Sequence, residues 1–333
     1  MVKATLAILV LIVAASMPSQ TFGQDNSGPR LLRVCIKGLC GYINRAGAIV
    51  VKPQFNLATD FSEGLGAVQF GLGKKWGFLD ESGQVVIKPE FASVGPFSEG
   101  VALVTDSDLK SNFINTKGKI ILRTHFKYGS FHEGLAAVFN PSDNRWIYID
   151  KTGRIAIPLR FDWAYDFFEG LARVEVNGKT GFINQDGHFV VAPRLDRAHD
   201  FRDGLAWAEI SGRTLYFNKK GEIAIGSRAP RVFFGDFSSG LACFDAGHKV
   251  GFIDKSGRVV IKPIYDGCGT FQEDRGMVAV GEKWGFIDAS GRMVINPKFS
   301  SVGHFSYGIA EIETEKGFGY IDKTGKYIWH PSR

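Results

Sequence analysis

The sequence predicts an all-β protein. It reads as a tandem array of nine three-stranded antiparallel units forming an open β-solenoid-like superhelix, with a β-propeller as the alternative. Three observations lead there. The aromatic of a recurring Gly-Phe-Ile-Asp phrase falls at Tyr42, Phe78, Phe113, Tyr148, Phe182, Tyr216, Phe252, Phe286 and Tyr320, spaced by 34 to 36 residues. The Phe of a second phrase, Phe-Ser-Glu-Gly, keeps the same period at Phe61, Phe97, Phe131, Phe167, Phe201, Phe237, Phe271 and Phe305. Within each copy β-branched and aromatic residues dominate, Gly or Pro marks every gap, and no 3.6-residue period is visible. A length of 333 residues alone would suggest about two domains. A fixed period overrides that estimate, because one small unit is solved once and then stacked on copies of itself.

Taken in order, residues 1–23 have the form of a secretory signal peptide. Lys3 supplies the positive start, and residues 4–15 form an apolar run too short for a typical spanning helix. Pro18 and Ser19 break the run, and Thr21-Phe22-Gly23 is a candidate cleavage site. Residues 24–32 are a short polar linker, and residues 33–331 are the array.

Each copy starts with a Gly-Leu-Ala-x-Val strand, as at Gly134 to Val138. The Gly-Phe-Ile-Asp strand follows. Its Asp opens a turn: Asp80 to Gly83, Asp254 to Gly257, Asp288 to Gly291 and Asp322 to Gly325, with Asn44, Asn115, Asn184 and Asn218 in a variant form. Asp or Asn starts a type I turn by bonding its own backbone, and Gly takes the left-handed position that closes it. Such turns offer one carboxylate each, whereas calcium needs six or more oxygens, so they are read as structural. The third strand is a solid apolar triplet such as Val85-Val86-Ile87 or Val259-Val260-Ile261. Consecutive apolar residues predict cover on both faces. A Pro then ends the strand, at Pro53, Pro89, Pro193, Pro263 and Pro297. A spacer of about ten residues follows. Its two aromatics, Phe55 and Phe61 or Phe91 and Phe97, are expected to pack down, each burying roughly 1.5–3 kcal/mol. The acids Glu63, Glu99, Glu133, Glu169 and Asp203 form a ladder of equivalent positions, read as turn acids bonding nearby amides. Ser239 and Tyr307 occupy the same slot, so no shared chemistry depends on it.

The phrases Lys75-Trp76-Gly77-Phe78 and Lys283-Trp284-Gly285-Phe286, followed by Val-Val-Ile-Lys-Pro or its variant and then Phe-Ser-Glu-Gly, resemble the WG-containing repeat family of bacterial proteins over about residues 34 to 331. The resemblance implies the repeat architecture and carries no assigned activity. In other copies the Trp slot holds Cys40, Thr180, Val250 or Phe318, which points to packing or register rather than one shared ligand contact. A looser likeness to cell-wall-binding hairpin repeats implies a glycan ligand.

Four Cys in a chain with an export signal suggest disulfides. With Lys37-Gly38 as a two-residue turn, Cys35 and Cys40 face each other at a non-hydrogen-bonded site and can bridge. Cys243 and Cys268 sit in adjacent copies, where a bridge and two buried thiols are both open. No Cys-x-x-Cys and no nearby His completes a metal site. The net charge is +6, or about +5 without Lys3, and it is scattered without a like-charge block, which disfavours nucleic acid. No phosphate loop, Gly-x-Ser-x-Gly, His-Glu-x-x-His or dinucleotide fingerprint occurs, and no cofactor is implied. The expectation is a non-enzymatic exported scaffold for protein interaction, at the periplasm, cell surface or outside the cell. The alternative is a module that binds a cell-envelope glycan. Outside the signal no membrane span is expected. Departures from the consensus are where a grafted site would sit. Trp163 and Trp207 are off-consensus, and with Trp76 and Trp284 they are the candidate ligand contacts.

Overall fold

A computed structural model describes residues 31–71, 75–226 and 235–330. The expected signal peptide and most of the linker lie outside them. Among the described residues every regular element is a strand, and the strands form nine small antiparallel sheets. The chain divides into two compact units, Met1–Phe91 and Ala92–Arg333. The first and second sheets lie in the first unit. The third to ninth lie in the second.

The copies carry more strands than expected. The spacer, read as a loop, contributes one, so seven of the nine sheets have four strands. In the second sheet Leu57–Ala58 pairs with Leu65–Phe70, which pairs with Lys75–Asp80 and then Val85–Phe91. The strands follow one another in space as in sequence, in the manner of a propeller blade. The open solenoid is therefore corrected to the alternative, a fold of the β-propeller type. A solenoid joins successive copies by hydrogen bonds into long sheets, whereas each ladder here stays within one copy. Copies meet through side chains instead. Tyr148, Ile157 and Phe161 of the fourth sheet share a core with Ala164, Phe167 and Ile183 of the fifth. In the first unit Tyr42, Val51 and Phe55 pack in the same way on Val68 and Leu79. The spacer aromatics are packed down as expected: Phe55, Phe91 and Phe97 are buried and Phe61 is half-buried.

Two expectations for the third strand are overturned. Val85–Phe91 and its counterparts alternate: Ile87 and Phe91 are buried while Val86 is 45% exposed. The strand is the outer edge of its sheet, so one face meets solvent despite the apolar run. Nor does Pro end it. The strand continues through Pro89 to Phe91 on a bulge, where a missing N–H is tolerated. Trp76 pairs with Phe91 and Phe78 with Ile87, so the outer strand carries extra residues between them. That bulge explains the Gly of the Trp-Gly phrase. A Cβ on Gly77 would lie 2.6 Å from the Ile87 carbonyl oxygen and 2.8 Å from Pro89 N.

The local turns fold as their residues dictate. Asp80 Oδ1 accepts from the Ser82 and Gln84 amides, and Gly83 sits at φ 84°. Cys35 and Cys40 are register partners beside the Lys37-Gly38 turn and are disulfide-bonded, Cα to Cα 4.0 Å. Cys243 and Cys268 also pair, linking the seventh and eighth sheets with Cα atoms 6.0 Å apart.

The acid ladder is a set of links between copies. Each Phe-x-Glu-Gly phrase is a two-residue hairpin with both central residues left-handed, for instance Glu99 at φ 53° and Gly100 at φ 80°. From that position the carboxylate reaches the next copy's turn. Gly134 N donates to Glu99 at 3.1 Å, Gly170 N to Glu133 at 2.9 Å, Gly204 N to Glu169 at 2.8 Å, and Gly240 N to Asp203 at 2.7 Å. Glu273, an acid the ladder reading omitted, binds Gly308 N at 2.7 Å.

Candidate functional site

The copies are alike enough that the departures stand out, and the fourth copy departs in the length of its spacer. Five residues separate the paired aromatics Phe91 and Phe97, Phe161 and Phe167, or Phe299 and Phe305. Only four separate Phe126 and Phe131. The inner strand of the fourth sheet is Phe131–His132, at the end of the spacer, whereas those of the third and ninth, Ser93–Val94 and Ser301–Val302, lie within it and that of the fifth runs Trp163–Phe168.

The backbone absorbs the missing residue locally. Lys127 forms a two-way bridge with Phe139 at 2.8 and 2.9 Å, which fixes one end. Tyr128 is then forced to φ 59° and Gly129 to φ 117°. A Cβ on Gly129 would sit 2.8 Å from the Ala137 carbonyl oxygen, so only Gly fits. Bulky residues at positive φ cost on the order of 1–3 kcal/mol and persist where the surroundings impose them, often at functional sites.

The result is a cleft of about 710 Å³ among the third, fourth and fifth sheets, within the range of ligand sites. Ser93 and Pro96 line it from the third sheet's side, Lys127 and Tyr128 from the short spacer, and Trp163 and Asp166 from the fifth sheet. Its aromatic wall is continuous. Trp146 is buried; Trp163 packs on it at 4.9 Å between centroids and is itself 46% exposed. Tyr128, 66% exposed, stacks on Trp146 at 6.1 Å and 21°. Tyr165 lies 6.2 Å from Trp163, donates its hydroxyl to Glu175 Oε1 at 3.2 Å, and carries the Arg173 guanidinium 3.5 Å above its ring.

One acid and one base line the cleft. Lys127 is exposed to solvent. Asp166 is half-buried and 3.3 Å from His132 Nε2. Burial raises its carboxyl above the usual range, and the nearby Asp200 adds to this, while His132 works the other way. Asp200 is itself paired with Arg173 at 3.0 Å.

Of the four Trp singled out from sequence, Trp163 is at the cleft. Trp207 is buried in the core shared by the sixth and seventh sheets, touches His199 at 4.7 Å and edges a smaller cleft of about 250 Å³. Trp76 and Trp284 are half-buried, in the second and eighth sheets. Trp146, Tyr128 and Asp166 were missed. Trp146 occupies the Trp slot of its copy but is followed by Ile147, which hid it from a Trp-Gly search. Tyr128 carried a signal in the short Phe126-to-Phe131 interval. Among the described residues no cluster of three or more His, Cys, Asp or Glu side chains is placed to hold a metal ion.

Comparison with known proteins agrees with the fold. The family model for the WG containing repeat matches residues 41–74, 76–108, 113–140, 146–179, 181–213, 251–284 and 284–316, and the chain belongs to that family. No curated protein matches the sequence. Among solved structures, a crystal structure of the eukaryotic initiation factor is 12% identical with a TM-score of 0.59, over 89% of this chain and 93% of that one. BamB from Moraxella catarrhalis is 11% identical with a TM-score of 0.42, over 78% and 88%. AztD from Citrobacter koseri is 12% identical with a TM-score of 0.40, over 91% and 94%. The first of these is a likeness of fold alone.

Proposed function

We propose that this WG-repeat chain is a non-catalytic, exported recognition scaffold, and that the cleft beside its fourth copy receives a segment of a partner protein. The observation that carries this reading is the exposed aromatic wall of Trp163 and Tyr128, built where one copy departs from the repeat. Exposed large aromatics that converge on a cleft favour binding, since their burial is left for a partner to complete. The ladder carboxylates Glu99, Glu133 and Glu169 are already engaged by backbone amides. Two disulfides fit an oxidising compartment, the periplasm, the cell surface or beyond.

A second reading, a cell-envelope glycan, is favoured by one feature: hydroxyls of Ser93, Thr105, Ser111 and Ser130 accompany the rings around the cleft. A random-peptide display library panned on the full chain and on its Trp163→Ala variant separates the two. The proposal expects peptides retained by the wild type and lost on the variant. Sedimentation with purified peptidoglycan that depends on Trp163, with no peptide enriched, would replace it by the glycan reading. Neither kind of binding would remove the cleft as a site.

A further inference from the structure

We infer that the segment received by the cleft carries a basic side chain, Lys or Arg, seated against the aromatic wall and facing the Asp166 carboxylate. This rests on the protein-binding reading above and adds the chemistry of the anchor. Three observations support it.

The first is charge. Asp166 is the acid of the lining and is half-buried, so its field is poorly screened, whereas the lining's base, Lys127, stands in solvent. The second is the ring faces. A guanidinium or ammonium is attracted to the face of Trp or Tyr, most strongly where water is excluded. Trp163 and Tyr165 precede Asp166 on the same strand, so one strand brings rings and carboxylate to the cleft. The third is that this strand already receives cations from within the molecule. Arg173 lies 3.5 Å over Tyr165, and Arg202 lies 4.3 Å over Phe168. Neither intramolecular cation is placed over Trp163, the exposed ring of the strand.

The test uses defined probes on the full chain. Acetyl-Gly-Arg-Gly-amide and its citrulline counterpart have the same shape and differ in charge. Their affinities are measured by NMR titration against wild type, Asp166→Asn and Trp163→Ala. The expected result is a preference for the Arg peptide of ~10-fold in the wild type. Asp166→Asn should bring the two probes to near equality, and Trp163→Ala should weaken both. Equal wild-type affinities that still depend on Trp163 would overturn the basic anchor and leave the cleft reading standing. Peptides enriched through Trp163 in the library but lacking Lys and Arg would do the same. Trp163-dependent binding of a chito-oligosaccharide, with no response to either peptide, would overturn both. If Asp166→Asn fails to melt cooperatively, the Arg-to-citrulline ratio on the wild type decides alone.

Discussion

The ninth and fourth copies start from one template and end differently. In the ninth, five residues link Phe299 to Phe305; Ser301 and Val302 pair with Glu313 and Ile312, and Gly303 N donates to the Glu311 carbonyl at 2.8 Å. The inner strand lies flat on its neighbour. In the fourth, four residues must cover the same ground. Lys127 keeps its bridge to Phe139, and Tyr128 is turned outward at φ 59°. The regular copy commits its side chains to the next sheet. The short copy frees an aromatic and opens a cleft beside it. The difference teaches that the consensus of this repeat serves packing between copies, whereas the shortened spacer turns an aromatic out beside a cleft.

The contrast sharpens if consensus positions govern stability alone. Gly181 is one such position. A Cβ there would lie 2.7 Å from the Val191 carbonyl oxygen, against backbone that cannot give. Gly181→Ala is expected to cost roughly 2–4 kcal/mol in urea unfolding, with the cleft's affinity unchanged at low denaturant.

The ladder acids should matter less individually. Glu133 accepts from Gly170 N and from Gln185, while its own backbone sits at φ 52°. Glu133→Ala removes the link and keeps the strain, for a loss of about 1 kcal/mol. Glu133→Gly removes both, so it should be the milder change in the same melts. The reverse order would break the account of why an acid tolerates that conformation.

Acid titration should reveal the turns gradually. Asp254 and Asp288 are held down to about 2 from the usual 3.8, chiefly by the Ser256 and Ser290 hydroxyls. For Glu99, burial works upward, but bonds from Lys151 and Gly134 outweigh it and lower its carboxyl. A carboxyl with a depressed folded pKa contributes stability that is complete above its unfolded value and fades as pH falls through the folded one. Thermal melts should therefore weaken progressively from pH ~4 toward 2. Asp166 has the opposite sign. Its carboxyl is raised, so its ionisation opposes folding, and Asp166→Asn should melt no lower than wild type at pH ~8. A lower melt would mean the His132 contact outweighs the burial cost.

Much of the fold was legible because its signals are local. The Asp80 turn and the Cys35–Cys40 pair depend on residues within a few positions of one another, and each repeat marker is a phrase of a few residues. The fourth strand was not legible, because Leu57–Ala58 or Ser301–Val302 is only two residues long and resembles a loop. Missing it left three strands per copy and made a blade look like a coil of a solenoid. The Val85 to Ile87 run misled because an outer edge strand can leave Val86 in solvent. For the site, Trp163 was visible as an off-consensus residue. Tyr128 was not, since the recurring aromatics mark whole repeats, and a one-residue deletion inside a spacer is lost within a 34-to-36-residue period.

One measurement reaches the centre of this account. A single Ser inserted between Tyr128 and Gly129 restores the five-residue spacing and should let the fourth inner strand lie flat. The affinity of this chain for a Trp163-dependent peptide is compared with that of wild type. The account predicts that binding is lost while the thermal melt stays the same or rises. Undiminished binding in the lengthened chain would contradict it.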